Sequence, residues 1–186
     1  VLLGHTREPT IVPQLRPALS DACLKMVAAI EFTRKMDDGV HPELWKEADL
    51  ILIGLSRAGK TPLSFFLAQR GLKVANYPVV PDEDPPDHLF DPAIQVRCIA
   101  LTISAQRLQA VRTERMVEFG RSKSEYSSLI NCEKEVSWLT TFYKRRGARW
   151  PVLDTTNGGV EENAAKILKL LENHGVLEKS ASPSVC

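Results

Sequence analysis

The chain has 186 residues, 44% of them hydrophobic and 25% charged, and a formal net charge of +1. That size and apolar content support one well-buried core and exclude a chain that is disordered throughout. Near-neutral charge excludes recognition of nucleic acid through a broadly basic surface, so any anion binding has to be local.

Four cysteines, Cys23, Cys98, Cys132 and Cys186, lie far apart without a Cys-x-x-Cys pair. This spacing indicates neither zinc nor a disulfide framework, and no metal site is expected. No apolar run approaches the roughly 18 residues that span a bilayer, so no membrane partner is expected. The chain starts at Val1 instead of methionine, which points to a piece of a longer, processed protein.

Residues 1–16 show no periodicity and read as a lead-in arm; residues 17–178 form the expected domain and residues 179–186 a loose tail. Ser20 and Asp21 cap a helix whose apolar positions run from Leu24 to Met36, with Gly39 as its stop. Asp49-Leu-Ile-Leu-Ile-Gly54 reads as a strand buried on both faces. Pro62 opens a second helix, closed by Gly71. Lys73 to Tyr77 reads as a strand, and the acidic, proline-rich stretch 78–92 as a loop without regular structure. Ile94 to Thr102 is a third strand, and Ser104 caps a helix through Leu108, Val111 and Met116. Glu125 to Tyr143 is helical with a ragged start. Trp150 to Asp154 is a last short strand, and a helix follows from Gly159 to Leu171. Strands alternating with helices predict an α/β three-layer sandwich with a mostly parallel sheet and ligands at the carboxyl ends of its strands.

The segment Gly54-Leu55-Ser56-Arg57-Ala58-Gly59-Lys60-Thr61 satisfies the P-loop pattern Gly-x-x-x-x-Gly-Lys-Ser/Thr between a predicted strand and a predicted helix. The spacing has a geometric purpose. Gly54 permits the exit from the strand, and Gly59 lets backbone N–H groups converge on an anion at a helix amino terminus. Lys60 adds an ammonium, Thr61 a hydroxyl for phosphate or Mg²⁺, and Arg57 a second cation. An exposed arginine serving solubility is an equal alternative for Arg57.

The same residues carry a resemblance. Gly54-Leu-Ser-Arg-Ala-Gly-Lys-Thr-Pro-Leu-Ser64, with Leu67-Ala-Gln-Arg-Gly71 and Val74-Ala-Asn-Tyr-Pro-Val-Val-Pro81, resembles the regulators of pyruvate, phosphate dikinase and of bacterial phosphoenolpyruvate synthase. Ala29-Ile-Glu-Phe-Thr-Arg-Lys-Met-Asp-Asp-Gly39, Leu108-Gln-Ala-Val-Arg-Thr-Glu-Arg115 and Val152-Leu-Asp-Thr-Thr156 are similar to further blocks of that family. The resemblance implies a bifunctional enzyme. ADP phosphorylates a threonine on the dikinase, leaving AMP, and inorganic phosphate later removes the phosphoryl group as pyrophosphate. It also implies a homodimer, and the divergent last block and serine-containing tail suggest a chloroplast stromal protein, with the bacterial cytoplasm as alternative.

Within that scheme Asp38 is the expected base for the threonine, with Asp37 as its rival, and Lys35 is expected to join Lys60 in offsetting phosphate charge. Lys35 and Asp38, three apart at a helix end, are expected to project to one side; a solvated helix end is the alternative. Arg112 and Arg115 share a helical face and are candidates for nucleotide, phosphate or the phosphorylated segment, or else form surface ion pairs. Asp154 can hold Mg²⁺ or cap the last helix. The family's last block reads Thr-x-Arg-Ser-Ile/Val-Glu-Glu-Thr-Ala; here Gly158 and Gly159 replace its arginine and serine, and Asn163 stands before Ala164. An ATP-dependent small-molecule kinase and a non-catalytic nucleotide switch are the competing functions.

Overall fold

A computed structural model describes residues 20–120, 125–146 and 150–173. The predicted arm 1–16 and tail 179–186 lie outside the described residues. The first helix, α1 (Asp21–Lys35), starts where expected: the Ser20 side chain accepts from the Cys23 N–H at 3.2 Å. It ends at Met36, whose N–H closes onto Phe32 and Thr33 carbonyls, and a single 3₁₀ turn, Asp37–Gly39, follows. Gly39 sits at φ +81°, and a Cβ there would lie 2.9 Å from the Tyr77 ring, so both backbone and packing require glycine.

A second 3₁₀ segment, Pro42–Glu47, was not expected; it buries Trp45 completely. Strand β1 (Leu50–Gly54) then leads through a short loop into α2 (Lys60–Ala68), and β2 (Val74–Pro78) follows. The third strand is shorter than predicted. Pro92–Gln95 is a helical turn, α3, and β3 spans only Cys98–Thr102, because the Asp91 side chain accepts from the Ala93 N–H at 2.9 Å and Pro92 presets the first helical position. The loop before it is likewise less irregular than expected, since Asp87–Phe90 forms a 3₁₀ turn over a fully buried Leu89. The remaining elements are α4 (Ala105–Glu118), α5 (Leu129–Arg146), β4 (Val152–Asp154) and α6 (Val160–Asn173).

The four described strands form one parallel sheet in the order β2-β1-β3-β4, with Leu52 opposite Asn76, Ile53 opposite Ala100 and Leu101 opposite Leu153. All five residues of β1 are buried, as a central strand covered on both faces must be. Helices α1, α2 and α6 pack together, and α4 pairs with α5, which itself packs on β3. The chain runs one way from β1 to β2 and the other way from β3 to β4. The reversal lies between β1 and β3, where the carboxyl ends of parallel strands open a crevice. Tyr143 on α5 reaches that point, its hydroxyl 3.1 Å from the Ile53 carbonyl and 2.8 Å from that of Leu101. Burial pushes the Tyr143 phenol well above its ordinary pKa, so it stays a neutral donor there.

Candidate functional site

The crevice is filled by the turn that follows β1. Gly54 leaves the strand so close to β3 that a Cβ would lie 3.2 Å from both the Leu101 Cβ and its carbonyl oxygen. Arg57 at φ +75° and Gly59 at φ +89° then bend the chain back on itself, closed by an Ala58 N–H donating to the Leu55 carbonyl at 3.1 Å. Left-handed backbone is natural for glycine and uncommon for arginine, so the loop carries some strain at Arg57. Among the described residues, the backbone N–H groups of Ser56, Arg57, Gly59, Lys60 and Thr61 donate to no other group. They gather at the amino end of α2, where the helix macrodipole is positive.

Lys60 is only 5% exposed, and its ammonium donates to the carbonyls of Gly54 at 3.0 Å and Leu55 at 2.9 Å. Burial pushes its pKa down to about 8, with Arg57 and Arg112 acting in the same sense and the negative charges of Asp38 and Asp37 opposing them. A further anion beside it would favour the charged form.

Across the turn stand the two aspartates. Asp37, Asp38, Arg57, Lys60, Thr61 and Val111 line one cavity of about 420 Å³. Asp37 accepts from the Thr61 hydroxyl at 3.0 Å and from the Asn76 side-chain amide, while the Asp38 N–H donates to the Asn76 carbonyl oxygen at 3.1 Å. Asp38 itself adopts φ 63°, ψ 31°, a left-handed conformation that aspartate tolerates better than most residues. The arrangement can bind an anion at the N–H groups and Lys60, and place a carboxylate beside it.

Lys35 does not join them. The helix ends at Lys35 and the turn after it is left-handed, so the helical spacing that would align Lys35 with Asp38 does not hold. Lys35 pairs with Glu31 at 3.2 Å on an exposed surface. Arg112 and Arg115 also part. Arg115 is exposed and pairs with Glu118, whereas Arg112 is 1% exposed and forms a two-pronged pair with Glu135, both contacts at 2.7 Å. Arg112 also donates to the Tyr126 carbonyl at 3.1 Å and lies over the Tyr126 ring, whose hydroxyl meets Ser56 Oγ at 3.2 Å. It braces the loop from behind. Asp154 accepts from the Thr156 N–H and hydroxyl, an Asx-type turn that leads toward α6.

Three residues with a part in this site carried little signal of their own. Asn76 is a fully buried amide in mid-strand, and a polar residue inside the apolar Val74-Ala75 run is the sign that could have singled it out. Thr155 Oγ1 lies 3.1 Å from the Ala58 carbonyl and 3.0 Å from that of Thr102, tying the loop to the end of β3. Tyr126 has no sequence cue at all. The divergent block also acquires a reason. The Asn163 amide donates to the Gly158 carbonyl at 3.0 Å, and a Cβ at Gly158 would fall 2.4 Å from Asn163 Oδ1. Asn163 thus occupies the space that any side chain at position 158 would need.

A parallel α/β sheet with an amide-rich, lysine-bearing turn at its reversal point is a frame suited to binding an anion. The chain belongs to the kinase/pyrophosphorylase family, whose sequence pattern matches residues 4–168. It is 41% identical over 164 residues, 88% of its length, to a candidate pyruvate, phosphate dikinase regulatory protein of Geobacter sulfurreducens. It is 38% identical over 178 residues, 93% of its length, to a similarly named protein of Staphylococcus epidermidis, and 37% identical over 164 residues, 88% of its length, to one of Syntrophomonas wolfei. The chain spans only 60%, 64% and 59% of those three proteins, respectively.

Proposed function

We propose that the chain is the phosphate-handling part of a regulator that phosphorylates a threonine of pyruvate, phosphate dikinase from ADP and removes the phosphoryl group with inorganic phosphate. The observation that carries this reading is the cavity that Lys60 and the turn with its undonated N–H groups share with Asp37 and Asp38. One cradle serves both directions, since the β-phosphate of ADP and free phosphate present the same oxygens to it.

In the forward direction the β-phosphoryl group of ADP moves to the threonine oxygen, AMP leaves, and Asp38 takes the hydroxyl proton. In reverse, a phosphate oxygen attacks the phosphorus of phosphothreonine, pyrophosphate leaves, and Asp38 returns the proton to the threonine oxygen. Lys60 and the N–H groups hold the charge on the transferring group in both. Lys35 would have to leave Glu31 to contribute. Mg²⁺ arriving on nucleotide phosphates would fit the oxygens of Thr61 and Asp37, where it would offset phosphate charge and leave Asp38 as the base. The names of the relatives support the dikinase as partner. Their bacterial sources favour the cytoplasmic alternative over the chloroplast, and a homodimer, checked by light scattering, completes the reading.

The test is incubation with the dikinase and either ADP or ATP, followed by phosphate and the phosphorylated product. Threonine phosphorylation with ADP and pyrophosphate release with phosphate are expected. Transfer from ATP alone rejects the donor assignment, and binding without transfer makes the protein a nucleotide switch.

A further inference from the structure

The sequence leaves two adjacent aspartates as rivals, and the structure separates them through a buried amide on β2. Asn76 is fully buried in the middle of β2, opposite Leu52 of β1. A buried amide is tolerated only where its groups are satisfied, and here most of them grip one short segment. Its backbone N–H donates to the Met36 carbonyl at 3.3 Å, its side-chain oxygen accepts from the Asp38 N–H at 3.1 Å, and its side-chain amide donates to Asp37 Oδ1. The same amide lies 3.3 Å from Ser64 Oγ, which donates to the Lys60 carbonyl at 3.0 Å. One side chain therefore links the left-handed turn 37–39 to the first turn of α2.

We infer that Asn76 and Asp37 are positioning residues: Asn76 clamps Asp37 onto the Thr61 hydroxyl, and this leaves Asp38 as the carboxylate free to meet the substrate. Asp37 Oδ1 already receives two donors, Asn76 Nδ2 and Thr61 Oγ1. Among the described residues no group donates to the Asp38 carboxylate, although Asp38 lines the same cavity. The clamp also explains how Asp38 keeps a left-handed backbone, since its N–H is held by a fully buried side chain in the middle of β2. This inference rests on the proposed phosphoryl transfer and divides its labour.

The two positions exchange donor and acceptor in a way that can be reversed. Asn76→Asp faces Asp37 with a second acceptor and breaks the contact, and Asp37→Asn keeps an oxygen for Asn76 and Thr61 but loses the charge that strengthens both bonds, so each single variant breaks or weakens the contact. The double variant restores it with the roles exchanged, because an amide at position 37 can donate to a carboxylate at position 76 and still accept from Thr61. Each single variant is expected to lower kcat for ADP-dependent phosphorylation by at least about tenfold, with KM for ADP within about threefold of wild type, because the N–H cradle is untouched. The double variant is expected to recover to within about threefold of wild-type kcat, a return that a purely structural defect or loss of a base at Asp37 would not show. A double variant as slow as the singles, or slower, overturns the clamp. If Asn76→Asp does not fold, Asn76→Ser removes the grip without adding charge, and unchanged kcat in that variant overturns the proposal equally. The contact is also read without turnover: the Asn76 side-chain amide signals should move in Asp37→Asn and stay in place in Asp38→Asn. A wild type that transfers from neither nucleotide, with those signals still coupled to position 37, refutes the proposed reaction and not the contact; uncoupled signals refute the clamp.

Discussion

Replacing Lys60 by methionine should strengthen the ligand-free fold near neutral pH while weakening the proposed binding of phosphate. Burial lowers the lysine from 10.5 to about 8, which at about 1.4 kcal/mol per pH unit means that about 3 kcal/mol disfavours the charged form in the folded chain. Against this, methionine leaves the Gly54 and Leu55 carbonyls without their donor, costing about 1 kcal/mol each. The variant should therefore be more stable than wild type by about 1 kcal/mol at pH 7. The sign with pH follows directly. Between about 8 and 10.5 the unfolded chain holds the lysine proton and the folded chain has lost it, so wild-type stability rises with pH in that window. The difference between the two proteins should thus change by about 3 kcal/mol across it and invert in favour of wild type, other groups being common to both. Urea denaturation of both proteins from pH 7 to 10 measures this directly. Calorimetry should show phosphate binding about 10–100-fold weaker in Lys60→Met, the loss of one charge-assisted contact. A stability difference that is flat with pH, or a variant that binds phosphate like wild type, would refute the account of Lys60.

Asp38→Asn should lower transfer in both directions by about 10²–10⁴-fold while the melting curve stays close to wild type, because asparagine accepts the left-handed backbone at position 38. Glu135→Gln should destabilise the fold by about 3 kcal/mol in urea, since it leaves the Arg112 guanidinium, 1% exposed, without its counter-charge. Gly158→Ala should cost about 1–3 kcal/mol through the contact with Asn163 Oδ1, and less than about 0.5 kcal/mol when Asn163→Thr has already cleared the space.

Much of this fold is written in short-range terms. Ser20 and Ser104 cap the helices that follow them, the unbroken apolar run at 50–53 makes a central strand, and the glycines at 54 and 59 with Lys60 make the turn into α2. Each depends on residues within about six positions of one another, so each is legible without knowing where the rest of the chain lies. Length misled at β3, where the apolar pattern from Ile94 onward merged a capped turn with the strand behind it.

The site was legible only as a list of residues. Its carboxylates, ammonium and hydroxyl are named in the sequence, but their division of labour depends on contacts such as Asp37 with Thr61, 24 positions apart, and Asp38 with Asn76, 38 positions apart. Those pairs meet because β2 lies beside β1 and the turn after α1 packs on β2, arrangements set by sheet order and not by any local preference. The same holds for the two arginines of α4, alike by spacing, of which packing against α5 buries Arg112 and leaves Arg115 in water. Local propensity thus determined which elements form and where the turn into α2 lies; burial in the assembled sheet decided which charges face the cavity, because only packing removes water from one side chain and not from its neighbour.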